Sequence, residues 1–290
     1  MRENIMGKKL RPPIPKFKTP IIETHCHLDY LDNGQLSSQL KLARDVGVKT
    51  FITIAVSKEN LASIIGLAKC YDDVWATQGI HPHSATDYTD ETEETIRTNL
   101  KYRKIVAIGE IGLDYYYDYS ERNVQRAAFE RQLELASEAD LPVVIHTRDA
   151  DDDTIKILRK YSQTLKKKGV IHSFASSMKL AECCLSEGFK LGFNGITTFK
   201  TAENVREVVE HTPLTQIVLE TDSPYLTPVP YRGKQNSPRF LPFIADKVAE
   251  IKNIDIEILL QNTYQNSIDL FTRLTTVEDN LSGEQPLSKN

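Results

Sequence analysis

From Ile21 onward, short apolar runs alternate with longer stretches in which apolar positions recur every three or four residues, the pattern of strands separated by amphipathic helices. Ile21-Ile22 open a first strand that reaches Glu23, and a helical stretch follows near residues 35–46. The second strand reads as residues 50–55 with a helix at 59–70, the third as 75–80 with a helix at 91–102, and the fourth as 105–109 with a helix at 122–139. Residues 142–145 are the fifth strand, 170–171 the sixth, 190–194 the seventh and 216–220 the eighth, with helices expected at 152–165, 179–187 and 202–210 between them. Eight such units over roughly 250 residues predict an α/β fold of one domain, a TIM-type (β/α)8 barrel. A doubly wound open sheet is the competing layout, but it more often carries a glycine-rich phosphate turn after its first strand, and none is present. Two last helices, at 240–252 and 256–270, are expected to cover the final gap of the barrel. The expected organisation is a flexible, basic, Pro-rich lead-in over residues 1–20, the barrel over 21–273 and a polar tail over 274–290.

Composition narrows the class without choosing a substrate. With 40% hydrophobic and 26% charged residues in 290, the chain reads as globular, and no apolar run approaches the length of a membrane span. The lead-in lacks the apolar segment of a signal peptide. The four cysteines, Cys26, Cys70, Cys183 and Cys184, form no C-x-x-C pair, so reduced, buried thiols in a cytoplasmic protein are the simplest expectation. A net charge of -4 argues against a protein that coats nucleic acid by bulk electrostatics and leaves room for a local basic groove.

The histidines change the picture. Of seven, six stand at or just past the C-terminal ends of expected strands: His25 and His27 after the first, His81 and His83 after the third, His146 after the fifth and His172 after the sixth. Glu110 follows the fourth strand and Asp222 the eighth, and in a barrel those ends converge on the mouth where catalytic residues of this fold sit. Taken singly, each has a plainer reading. His25 and His27 can be two polar residues at a strand end, His146 or His172 a satisfied core histidine, Glu110 a helix-capping carboxylate, Asp222 a turn former. Independent structural roles would scatter over both ends of the strands, whereas these collect at one.

Four histidines and two carboxylates exceed what one four-coordinate ion uses, so two divalent ions, Mg²⁺, Mn²⁺ or Zn²⁺, are expected. His25, His27 and Asp222 are expected to hold one, His146 and His172 the other, with Glu110 bridging. Side chains two apart on a strand share a face, so His25 and His27 project together and Cys26 packs on the opposite side. A paired site orients a water for in-line attack, with Asp222 as the proton acceptor.

Six ordered motifs then point to a family. They are Glu-Thr-His-Cys-His-Leu-Asp (23–29), Gly-Ile-His-Pro-His (79–83), Gly-Glu-Ile-Gly-Leu-Asp-Tyr (109–115), Pro-Val-Val-Ile-His-Thr-Arg-Asp-Ala (142–150), Ile-His-Ser-Phe (171–174) and Leu-Glu-Thr-Asp-Ser-Pro-Tyr-Leu-Thr-Pro (219–228). In these the chain resembles the TatD family of metal-dependent deoxyribonucleases, within the amidohydrolase-like barrels, from Ile21 to about Phe271. The resemblance implies metal binding by His25, His27, Glu110, His146, His172 and Asp222, a catalytic set of Asp222, Glu110 and His81, with His81 beside the scissile phosphate, and a 3′ phosphodiesterase acting on DNA, single-stranded or at 3′ ends. Arg148, Arg232 and Lys234, on loops that face the same mouth, are the candidate phosphate contacts. Glu23 stands where the family usually has Asp, and Ser173 and Ala175 replace the Cys and the small hydroxyl or Gly residue common after the sixth-strand His, which bears on the pocket wall and not on the ligands. A metal-dependent ester or amide hydrolase, D-aminoacyl-tRNA deacylase included, is the alternative, because the same activated water can attack a carbonyl carbon. A monomer is expected.

Overall fold

The structure is a computed structural model, and it describes residues 11–31 and 34–274. Eight parallel strands run in sequence order around one sheet: β1 (Ile21–Cys26), β2 (Val48–Thr53), β3 (Val74–Gln78), β4 (Ile105–Asp114), β5 (Val143–Arg148), β6 (Gly169–Ile171), β7 (Lys190–Phe193) and β8 (Ile217–Leu219). That order rules out the doubly wound layout, in which strand order reverses at a switch point. A parallel bridge between Cys26 and Ser223 brings the two ends of the sheet together, and the Asp222 N–H donates to the His25 carbonyl at 2.9 Å. The ring therefore closes beside the histidine pair.

The helices are α1 (Leu28–Leu31), α2 (Leu36–Arg44), α3 (Leu61–Cys70), α4 (Asp90–Asn99), α5 (Arg122–Ala139), α6 (Asp151–Tyr161), α7 (Met178–Ser186), α8 (Glu203–His211), α9 (Leu241–Lys252) and α10 (Ile256–Leu270). Local chemistry starts several of them. Thr89 and Ser177 cap α4 and α7 by accepting the N–H of Thr92 and of Leu180, Asp255 caps α10, and Asp151, Asp152 and Asp153 meet the positive end of α6. Helices α9 and α10 pack on β8 and β1 and cover the last gap, as the pattern of the chain predicts.

The core has two parts. One lies between strands and helices; the other fills the barrel's interior, where Ile22, Ile52, Val144 and Val218 meet Leu270 and Phe271 from the end of α10. Strands β4 and β5 run further than expected, to Asp114 and Arg148, with Gly112 paired to His146 and Asp114 to Arg148. The glycines at 109 and 112 look like a strand end in sequence. In the fold Gly112 takes a φ of +135°, and a Cβ there would sit 1.9 Å from the His146 carbonyl oxygen, so glycine lets the two ligand-bearing strands approach.

Two other expectations meet a different outcome. Residues 11–20 of the anticipated flexible lead-in form no helix or strand, yet Ile14 and Phe17 pack against the core. The N–H groups of Lys18 and Thr19 donate to the Glu257 carboxylate at 2.8 and 2.9 Å. Residues 1–10 and 275–290, the rest of the lead-in and nearly all of the anticipated tail, lie outside the described residues. All four cysteines are free, but only Cys26, Cys183 and Cys184 are buried; Cys70 ends α3 on its solvent side and is exposed.

Candidate metal centre

Two β-bulges aim the ligands. Between Glu23 and Cys26 β1 advances three residues while its partner advances two, from Phe51 to Thr53. Strict alternation from the inward-facing Ile22 would carry Cys26 inward and His25 toward the helices. The extra residue reverses this, so Cys26 joins the packing between strands and helices and His25 turns to the barrel mouth. The same count holds in β4, where Ile108 to Ile111 faces Val143 to Ile145, and Glu110 stands within that irregular step.

Glu110 is the hub. Its carboxylate lies 3.4 Å from His25 Nε2, 3.3 Å from His81 Nε2, 3.2 Å from His146 Nδ1 and 2.8 Å from His172 Nε2. Asp222 faces His27 Nε2 at 3.4 Å and His25 Nε2 at 3.7 Å. His25 and His172 stack with ring centroids 3.8 Å apart and planes 7° from parallel. All six side chains expected at the mouth are therefore brought together, and His81 joins them. Arg148 is on the wall of the same cavity, of about 1520 Å³, its guanidinium over the Tyr116 ring at 3.9 Å. Arg232 packs over Phe199 at 3.7 Å, and neither it nor Lys234 is among the cavity-lining residues.

Two side chains outside the expected set, Asp114 and Glu220, complete the arrangement. Asp114 Oδ2 meets His146 Nε2 at 3.1 Å and His83 Nε2 at 2.8 Å, while its Oδ1 accepts the N–H of Tyr116 and of Tyr117. One carboxylate thus fixes the His146 ring and holds the loop after β4. Glu220, fully buried, stands 3.7 Å from His172 Nδ1 and accepts the Ser173 N–H. Gly192 makes room for it, since a Cβ there would lie 2.5 Å from Glu220 Oε2. The available signal was parity: Glu220 is two residues before Asp222, and Asp114 is four after Glu110, at the end of the longer β4. Ser173, like Ala175, lines the cavity wall, and Glu23 ties the closing strands by accepting the N–H of His25 and Thr221.

The protonation pattern follows from burial opposed by charge. Desolvation works against a charged Glu110, but the surrounding histidines outweigh it and hold the carboxyl well below the usual range. Burial pushes the His81 imidazole down to about 4, so that ring is neutral near pH 7. Burial also opposes protonation of His146 and His172; there the carboxylates, Asp114 and Glu110 for His146 and Glu110 for His172, prevail and raise both.

The unmet hydrogen-bonding groups test whether a cation fits. Both nitrogens of His25, Nδ1 of His27 and Nδ1 of His172 are buried without a hydrogen-bond partner. Buried polar groups left so are costly unless something binds them. Three sets of side chains, His25 with His27 and Glu110, His81 with Glu110 and His146, and His25 with His172 and Glu220, each bring ligand atoms within 4.8 Å of one another. Imidazole nitrogen and carboxylate oxygen suit a divalent cation of the Zn²⁺ or Mn²⁺ type. The residues fit a metal.

Comparison with known proteins places this geometry. Residues 22–272 match the family model described as TatD related DNase. The chain is 34% identical over 252 residues to the uncharacterized metal-dependent hydrolase YabD of Bacillus subtilis, covering 87% of this chain and 98% of that protein. It is 34% identical over 238 residues to the 3'-5' ssDNA/RNA exonuclease TatD of Erwinia amylovora, covering 80% and 92%. The crystal structure of YjjV, a TatD homologue from Escherichia coli, superposes with a TM-score of 0.82 at 32% identity over 87% of this chain and 98% of that one. The chain therefore belongs to the TatD family, and it is a metal-dependent hydrolase built on a TIM-type barrel.

Proposed function

We propose that this protein is a divalent-metal-dependent deoxyribonuclease, a 3′ phosphodiesterase acting on single-stranded DNA ends, with two ions at the barrel mouth. The observation that supports it most is the convergence of four histidine rings on the single carboxylate of Glu110, with Asp222 facing one of them, His25, and a fifth ring, His27. In this reading His25, His27 and Asp222 would hold one ion and His146 and His172 the other, with Glu110 shared between them. Bound there, the ions lower the pKa of an attacking water and neutralise charge on the scissile phosphate. The E. amylovora relative's name, an exonuclease for single-stranded DNA and RNA, supports the phosphodiester class.

The chain's own groups carry the remaining work. Asp222 turns Oδ1 toward His25 and His27, and Oδ2 takes the proton of the attacking water. His81 accepts the His83 N–H on Nδ1 at 3.2 Å, so its neutral ring carries its proton on Nε2, which stands 3.3 Å from Glu110 and would donate to a phosphoryl oxygen bound beside that carboxylate. Arg148 offers a planar fork to the neighbouring phosphate. Arg232 and Lys234 serve only a strand that continues beyond the cavity.

The test is release of mononucleotides from a 3′-labelled single strand with Mg²⁺ or Mn²⁺, repeated with Asp222→Asn and with chelator. Release by the wild type, abolished by chelator and reduced at least about 10²-fold in the variant, is expected. Turnover confined to carbonyl esters such as D-aminoacyl-tRNA, in protein that carries its metal, overturns the proposal.

A further inference from the structure

The barrel mouth is ringed by exposed tyrosines. Tyr30, Tyr116, Tyr117, Tyr119 and Tyr225 are between 45% and 69% exposed, although large aromatic rings ordinarily gain by burial. Four of them form two groups, each seated on the candidate metal centre, while Tyr116 meets Tyr117 edge-on at 4.9 Å and lies under Arg148. Tyr30 stacks on His27 with centroids 5.3 Å apart and planes 19° from parallel, and Tyr225 meets the same ring edge-on at 6.0 Å. In the other group Tyr117 and Tyr119 stack at 5.4 Å, and both rings meet His83 edge-on, at 5.2 and 4.8 Å. His83 is bonded to Asp114, the carboxylate that fixes His146. Tyr30, Tyr225, Tyr117 and Tyr119 all line the cavity that contains Glu110 and Asp222.

Away from the candidate metal centre, the charge along this cavity wall disfavours a grip on phosphates. Its lining cations are Arg148 and Lys179, and Lys179 is already paired with Asp152 at 2.7 Å, while Asp149, Asp151, Asp153 and Glu207 line the same wall. A strand running along this wall meets more carboxylates than cations. Affinity beyond the phosphates at the metal centre and Arg148 must then come from the bases, and every base has a π-face that an exposed ring can cover irrespective of sequence.

We infer that the two tyrosine groups are nucleobase-stacking subsites on either side of the metal centre, Tyr30 with Tyr225 taking one base and Tyr117 with Tyr119 the other. The recognised unit is an unpaired dinucleotide at a strand end. Duplex DNA is excluded until its end frays, because a base stacked within a helix has no free face. This inference rests on the nuclease reading and names the part of the substrate that the site holds.

The test is a double-mutant cycle between rings and bases. Wild type, Tyr30→Ala/Tyr225→Ala and Tyr117→Ala/Tyr119→Ala are compared on oligothymidylate and on the same strand with its last two 3′ residues abasic. Cleavage is measured as kcat/KM in Mg²⁺, and affinity by fluorescence anisotropy with the same pairs built into the Asp222→Asn protein. Each ring pair is expected to lose about tenfold to a hundredfold in affinity on the normal strand and to lose nothing further on the abasic one. Equal losses on both strands, or a wild type indifferent to the missing bases, overturns the stacking subsites while leaving any nuclease activity standing. Base-dependent binding without cleavage of any DNA by the wild type overturns the nuclease reading and leaves the subsites standing.

Discussion

The two ends of this barrel are built from the same strands and obey opposite rules. Toward the N-terminal ends, Ile22, Ile52, Val144 and Val218 are packed against Leu270 and Phe271. At the C-terminal ends, the strands place His25, Glu110, His146 and His172 within hydrogen-bonding or ion-pairing reach, and four buried ring nitrogens there lack a partner. The lower end lowers the free energy of folding through buried apolar area; the upper end forgoes such burial to hold polar groups suited to a bound cation. Stability and chemistry are thereby separated along one strand by the length of a few residues.

Substitutions at the two ends should separate along the same line. The largest effect is expected for Glu110→Gln, which keeps the shape of the hub and removes its charge: kcat should fall by at least about 10³-fold. Addition of a divalent ion to metal-free wild type should raise Tm, since the ion binds the folded state alone, and this rise should be largely lost in the variant. An unchanged rise would show that Glu110 does not share in binding the metal. Next comes Phe271→Ala at the lower end. It should cost about 3–5 kcal/mol in chemical denaturation, with kcat per folded molecule retained. A loss of turnover at full folding would break the proposed division between the ends. The smallest effect is expected for Asp114→Asn, which touches the centre only through His146 and His83. Metal affinity should drop about 10–100-fold, followed by calorimetry, with Tm of the metal-free protein little changed. A drop confined to substrate affinity would instead assign Asp114 to the tyrosine loop that it also holds.

Much of the architecture was legible because hydrophobic period is a local property. The ten-residue β4 shows where that reading stops. Gly109 and Gly112 signal an end to the strand, and only the close approach of β5 explains why they extend it instead. Glu220 and Asp114 stayed hidden for a related reason. A carboxylate that supports a ligand has no sequence pattern of its own, since its partner lies on a different strand: His172 for Glu220, His146 and His83 for Asp114. Arg232 and Lys234 show the converse. Placement on a loop past the eighth strand suggested the mouth, but the loop carries Arg232 onto Phe199, away from the cavity wall.

By itself the sequence determined the eight βα units, the end of the barrel where histidines and carboxylates gather, and the family to which its six motifs belong. Tertiary structure alone decided which way those side chains point. Alternation along β1 would have sent His25 toward the helices, and one extra residue between Glu23 and Cys26 turns it to Glu110. A bulge is a disagreement in count between two paired strands, so it belongs to neither sequence segment and exists only once they are side by side.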